Sequence, residues 1–293
     1  MDDLDNIFDV FENKYSITEK LQAFKEKINA PSTNEKSIIF LEYIQQILYE
    51  QDFSIHDLFS VFNEYNDLNI NDLDILDIID KWGKCHYAIK IVSEKIGLHL
   101  ATKIKVKKEK SSSINEVQLK RWEILEGQNL IDEVLGKYDP DKQEIILYTE
   151  NIKSTANHLN TSEKILTKLV EIHEAAHAII HLGIDADGIN FNTNSYKGID
   201  RGKFPSPLHE TLAQLLCYHC VKDGYLRNFI HDFENLNRCQ PKEYRLWEQF
   251  KDVPLERIRS ILIEIRQQRI GASFEAFSPH SAPLTVTIGY YGS

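Results

Sequence analysis

The sequence predicts an α+β protein that is mostly helical, with a core built around a small sheet and preceded by a helical N-terminal region. Three observations predict this. Apolar residues recur at helical spacing along most of the chain, a short β-prone stretch at 144–148 follows an Asp-Pro-Asp turn, and a basic run at 103–113 ending in three serines separates two regions of different character. The expected boundaries are an acidic helical region at 1–105, a core domain at 106–270 and a C-terminal tail at 271–293. A chain of 293 residues is long enough for one large or two ordinary domains with a substantial core.

The first elements are short amphipathic helices over residues 16–82. "ITEKLQAFKEKI" sets Ile17, Leu21, Phe24 and Ile28 on one stripe, and "NEKSIIFLEYIQQILYEQ" does the same with Ile39, Tyr43 and Ile47. Pro31 separates these two, and Ser54 is placed to cap the next helix, "SIHDLFSVFNEY". "DLNINDLDILDI" resembles a calcium loop only superficially. Its sixth position is Asp72 where the sharp turn needs Gly, and its twelfth is Ile78 where a bidentate Glu is needed. "KIKVKKEKSSS" reads as a strand edge or linker, too short and isolated for a nucleic-acid surface.

From residue 114 the pattern changes. "INEVQLKRWEILEGQNLIDEVLG" is expected to be helical, and "KYDPDKQEIILYTENI" to turn at Asp139-Pro140-Asp141 into a strand from Glu144 to Tyr148. A long helix follows, bounded by Asn160 with Glu163 as a capping box and by Gly183 as a stop. Its apolar side chains lie nearly all round, so it is expected to be central and buried. After a Gly- and Asn-rich loop, another helix starts near Leu208, and further helices are expected around 240–251 and 254–270. The tail from Phe277 is expected to be flexible, with "PLTVTIGYY" as a short β-prone piece that is a candidate to lie as a strand along a cleft of the core domain.

Composition narrows the function classes. Apolar and charged fractions of 42% and 27% are those of a soluble globular protein, and no apolar run approaches the ~18 residues of a membrane span. The N-terminus is acidic and lacks a secretory layout, so the cytoplasm is the expected location. The net charge of -11 is concentrated in residues 1–100, which hold 19 acidic and 9 basic side chains. That surplus disfavours phosphate backbones and reads first as a solvated acidic face, with a protein regulator bound through the N-terminal helices as the sharper alternative. Cys85, Cys217, Cys220 and Cys239 are too few and too irregularly spaced for a disulfide framework. Cys217 and Cys220 read as small buried hydrophobes.

Chemistry concentrates in "VEIHEAAHAII", residues 170–180. His173 and His177 are four apart and therefore share a helix face, offset by about one turn of 5.4 Å. Two imidazoles so placed converge on one ion, and Zn2+ suits them. Glu174 points roughly 100° away, where it reaches a water on the metal as a general base. Three polar residues in a helix buried on nearly every face cost several kcal/mol if left unpaired, and a cation satisfies them. A third ligand is needed. His181 lies about 12 Å of helix rise from His173, too far to share the ion. The position six residues after His177 is Gly183 rather than a third His. Glu210, at the head of "HETLAQLL", precedes Leu212, Ala213 and Leu216, so its helix can pack on the first while the carboxylate reaches the metal. Candidates to stabilise an oxyanion are His209, beside Glu210, and Tyr196, on the intervening loop; Tyr218 is also near in sequence.

The pairing of "HEAAHAIIH" with "HETLAQLL" resembles the gluzincin branch of the zincin metallopeptidases, and its context is similar to the ImmA/IrrE-like group. The resemblance spans roughly residues 114–235. It implies a zincin-like core, His173, His177 and Glu210 as zinc ligands, Glu174 as general base, and hydrolysis of peptide bonds in a few protein targets of the same cell. Ala176 stands where many such proteins carry Gly, and neither the first hundred residues nor the tail has a counterpart there. The alternative expectation is a non-catalytic zinc-containing module that binds a regulatory partner.

Overall fold

The computed structural model describes residues 44, 48, 54–64, 72–83, 85–111, 134–185, 188–196, 206–222, 226–240, 242–267 and 272–277. The chain divides into two compact units, Met1–Glu94 and Lys95–Ser293. The division falls earlier in the chain than the basic run at 103–113. No described helix is long and apolar enough to cross a membrane.

In the first unit, α1 (Ile55–Glu64) and α2 (Asp72–Trp82) precede α3 (Tyr87–Ile96), within which the chain divides. Ser54 caps α1 as its position predicts, its Oγ accepting from the His56 amide at 3.1 Å, while Glu94 accepts from the Ile55 amide at 3.0 Å. Leu58, Phe59, Phe62, Ile75, Leu76 and Ile79 are buried. Asp72 and Ile78 lie on a regular helix, in keeping with the rejection of a calcium loop. Ile44 and Leu48 are helical and buried, one position on from the stripe Ile39, Tyr43 and Ile47. That stripe and the helix predicted from Ile17 lie outside the described residues.

The second unit is mostly helical around a mixed three-stranded sheet in the order β1 (Lys105–Glu109), β3 (Glu144–Tyr148), β2 (Gly136–Asp139). The central strand β3 is buried along its length, pairing parallel with β1 and antiparallel with β2. The basic run thus forms an exposed edge strand. Asp139 builds the turn between β2 and β3, its Oδ1 accepting from the amides of Asp141 and Lys142 at 3.1 and 3.2 Å. The stretch expected to be helical up to Gly136 ends instead as the start of β2; residues 114–133 lie outside the described residues.

Helix α4 (Thr149–Leu159) leads into α5 (Glu163–Leu182). Asn160 does not open α5 as predicted. It closes α4 in the left-handed conformation (φ 52°, ψ 42°), and Ser162 is the N-cap of α5. An Asn adopts this conformation readily, so the residue was spent on the earlier helix. No Gly or Pro interrupts α5, and Leu166, Leu169, Ile172, Ala175, Ala176, Ala178, Ile179 and Ile180 are all at most 1% exposed. Each fully buried Leu or Ile contributes about 1.5–3 kcal/mol, which holds the helix against β2, β3, α4 and its later partners.

A single turn at Thr193–Tyr196 precedes α6 (Ser206–Lys222), which packs along α5 and buries Leu208, Leu212, Leu215 and Leu216. Helix α7 (Ile230–Arg238) and a 3₁₀ segment, Lys242–Gln249, cover α6, and α8 (Leu255–Arg266) follows. The 3₁₀ geometry replaces the α-helix expected around 240–251. Phe277, from which a flexible tail was expected, is 1% exposed at the end of a 3₁₀ turn, Phe274–Phe277, and Phe274 stacks on Phe250 at 5.9 Å. "PLTVTIGYY" lies outside the described residues.

Candidate metal centre

Helix α5 presents His173, Glu174 and His177, and the first turns of α6 present His209 and Glu210. The two imidazoles meet edge to face, with ring centres 4.8 Å apart and planes at 87°. Their Nε2 atoms are 3.2 Å apart, and Glu210 Oε2 lies 3.3 Å from that of His173 and 3.4 Å from that of His177. Four donors arranged tetrahedrally at zinc bond lengths of about 2.0–2.1 Å sit about 3.3 Å from one another. The three atoms therefore already have the mutual spacing of three corners of such a site, and the donor types are those zinc prefers. The residues fit the ion.

Glu174 stands beside this triangle without joining it. It is 6% exposed, and burial, with a smaller push from the Glu210 charge, raises its carboxyl to about 7 against the opposing effects of His173 and the Tyr138 amide, which donates to it. Glu210 behaves oppositely. Burial pushes it up too, but His177 and His173, through charge and hydrogen bonding, outweigh that and hold it well below the usual carboxylate range.

Strand β2 reaches Glu174 only because residue 136 is glycine. A Cβ there would lie 2.7 Å from Val170 Cγ1, 2.9 Å from Glu174 Cγ and 3.1 Å from Glu174 Oε1. Two residues on, Tyr138 gives its amide to Glu174, and its hydroxyl is hydrogen-bonded with His181 Nδ1 at 2.8 Å. His181 is thus tied to the sheet, away from the ligand triangle. Neither Gly136 nor Tyr138 carries a sequence motif. The only available signal is that the Asp139-Pro140-Asp141 turn must be preceded by a paired strand.

Tyr196 and His209 also reach the site. The Tyr196 ring lies between His181 (4.5 Å, 27°) and His209 (4.3 Å, 30°). Its hydroxyl is 3.0 Å from the His177 carbonyl and 3.1 Å from His177 Nδ1. His209 is neutral; burial first, then the neighbouring His177, push it down to about 3. Tyr218 stacks on Trp247 at 4.5 Å and does not line the cleft.

A cleft of about 350 Å³ opens over the triangle, walled by β2 on one side and by Tyr196, His209 and Tyr244 on the other. It meets a smaller pocket of about 60 Å³ lined by Leu169, Val170, Phe233 and Leu236. Cys217, on that pocket's wall, is buried with its thiol pushed well up by burial, and Cys220 is pushed to about 12 for the same reason. Both are free and protonated, acting as small apolar residues. No known protein family, curated protein or solved structure matches the chain.

Proposed function

We propose that this chain is a zinc-dependent metallopeptidase of the gluzincin type, with a zincin-like core and a limited set of protein targets in the cytoplasm. What carries the assignment is the convergence of His173 Nε2, His177 Nε2 and Glu210 Oε2 within 3.4 Å of one another, with the Glu174 carboxylate beside them in an open cleft. His173, His177 and Glu210 would hold the ion. Zinc bound there supplies Lewis-acid activation of water and polarisation of a carbonyl.

The remaining work belongs to the protein. Glu174 is fixed by the Tyr138 amide, and its elevated affinity for a proton suits it to take one from the attacking water and return it to the departing amine. His209, neutral on the cleft wall next to Glu210, is the candidate donor to the oxyanion. The smaller apolar pocket supports a substrate with a compact apolar side chain beside the cleaved bond. The acidic first unit supports recognition of a basic protein partner.

Replacing Glu174 by Gln keeps the shape and removes the base. The expected outcome is retained zinc by elemental analysis and cleavage slowed by about 10²–10⁴-fold. The substrate is sought by comparing cellular proteins in the presence of the active chain and of E174Q, looking for a fragment made only by the former. Full activity in E174Q refutes the mechanism.

A further inference from the structure

Tyr196 was a candidate to stabilise an oxyanion, but its hydroxyl is already engaged. It donates its single proton to the His177 carbonyl, 3.0 Å away. The contact of 3.1 Å to His177 Nδ1 must then run the other way, with Nδ1–H donating to the phenol oxygen. A histidine whose Nδ1 proton is held in this way can give up only its Nε2 proton, so its lone pair opens at Nε2, the atom that faces His173 and Glu210.

The phenol cannot easily turn away. Its ring is held between the imidazoles of His181 and His209, and His181 is itself fixed by the Tyr138 hydroxyl. Tyr138 also meets the Tyr196 ring edge to face at 6.1 Å. The residue is 4% exposed. A side chain from the loop between α5 and α6 is thereby clamped onto one ligand of the cluster. His173 is treated differently, since its Nδ1 has no hydrogen-bond partner among the described residues.

We propose that Tyr196 is a positioning residue that fixes the tautomer and ring orientation of His177 for metal binding. This rests on the zinc-site assignment above. Partners of this kind typically carry about 10–100-fold of the metal affinity.

The test uses the full chain, stripped of metal and titrated with Zn2+ against a chromophoric chelator. Tyr196→Phe keeps the ring stack and removes only the hydroxyl. Its zinc affinity is expected to fall about 10–100-fold, with an altered visible spectrum when Co2+ is substituted and much of kcat recovered at saturating zinc. Unchanged zinc affinity with a lost kcat would make Tyr196 an oxyanion donor and overturn the proposal. A second measurement reads the wild-type chain itself. In metal-free wild type labelled with ¹⁵N-histidine, with the signal assigned by its loss in His177→Gln, two-bond correlations should show Nδ1 protonated; a bare Nδ1 beside an Nε2–H overturns the proposal. If wild type shows the Nδ1–H form but binds no zinc, the zinc assignment falls and takes the metal role of Tyr196 with it.

Discussion

Glu174 and Glu210 share one site yet sit on opposite sides of the ordinary carboxylate range, and the difference lies in what each one touches. Glu210 faces two imidazoles, whereas Glu174 faces buried surface and one amide. The metal-free folded chain keeps the Glu174 proton up to about pH 7, while the unfolded chain releases it near 4.5. The folded state therefore binds more protons in that window, and stability falls as pH rises through it. E174Q removes the ionisation. Stripped of metal, it is expected to be more stable than wild type at pH 8, by about 3 kcal/mol at most, and equal to it below about pH 4. Urea midpoints at the two pH values check this, and coincident midpoints at pH 8 exclude it. The convergence of His173 and His177, with Glu174 beside them, was legible in sequence because helical spacing alone sets their relative directions. Tyr138 was not, since its two contacts depend on where β2 docks.

Among the elements, α5 was readable almost end to end, because its unbroken run of helix formers and its apolar circumference leave no other structure available. Its beginning was misassigned because Asn160 suits two caps equally well, and only tertiary context selects between them. Strand β2 was hidden because four residues with one buried side chain do not announce a strand. Its position against α5 makes a sharp prediction. Gly136→Ala forces a methyl into Val170 and Glu174. The expected cost is about 1–3 kcal/mol of stability from overpacking, together with a fall in kcat as Glu174 is displaced. Zinc affinity should change little, because the atoms nearest the new methyl belong to Val170 and Glu174 and not to the proposed ligands. A zinc titration beside a denaturation curve separates these effects; loss of zinc binding with normal stability would contradict them.

For the molecule as a whole, the charge asymmetry was visible in the composition, and the chain does divide into an N-terminal unit and a larger second one. The place of division was not visible, because it falls inside a helix rather than at a change of composition. An ion that binds only the folded second unit must stabilise it by mass action. At free zinc of about 100 times Kd the gain is about 2.7 kcal/mol, or roughly 5–10 °C in the melting of a unit this size. Calorimetry with and without zinc measures that shift, and Glu210→Gln should abolish most of it. A wild-type thermogram indifferent to zinc would exclude a tight site.

Gly183, where α5 stops, has wider importance than its size suggests. A methyl there would lie 2.4 Å from the Ile179 carbonyl oxygen and 2.9 Å from Leu98. Next to it, Arg266 binds the Gly183 carbonyl and Arg259 grips Asp185. The path leading to Tyr196 therefore leaves from an anchored post, two residues past His181. Bulk added at that post presses on the segment that joins His181 to its stacked partner Tyr196, so an alteration remote from the proposed zinc site is expected to reach it.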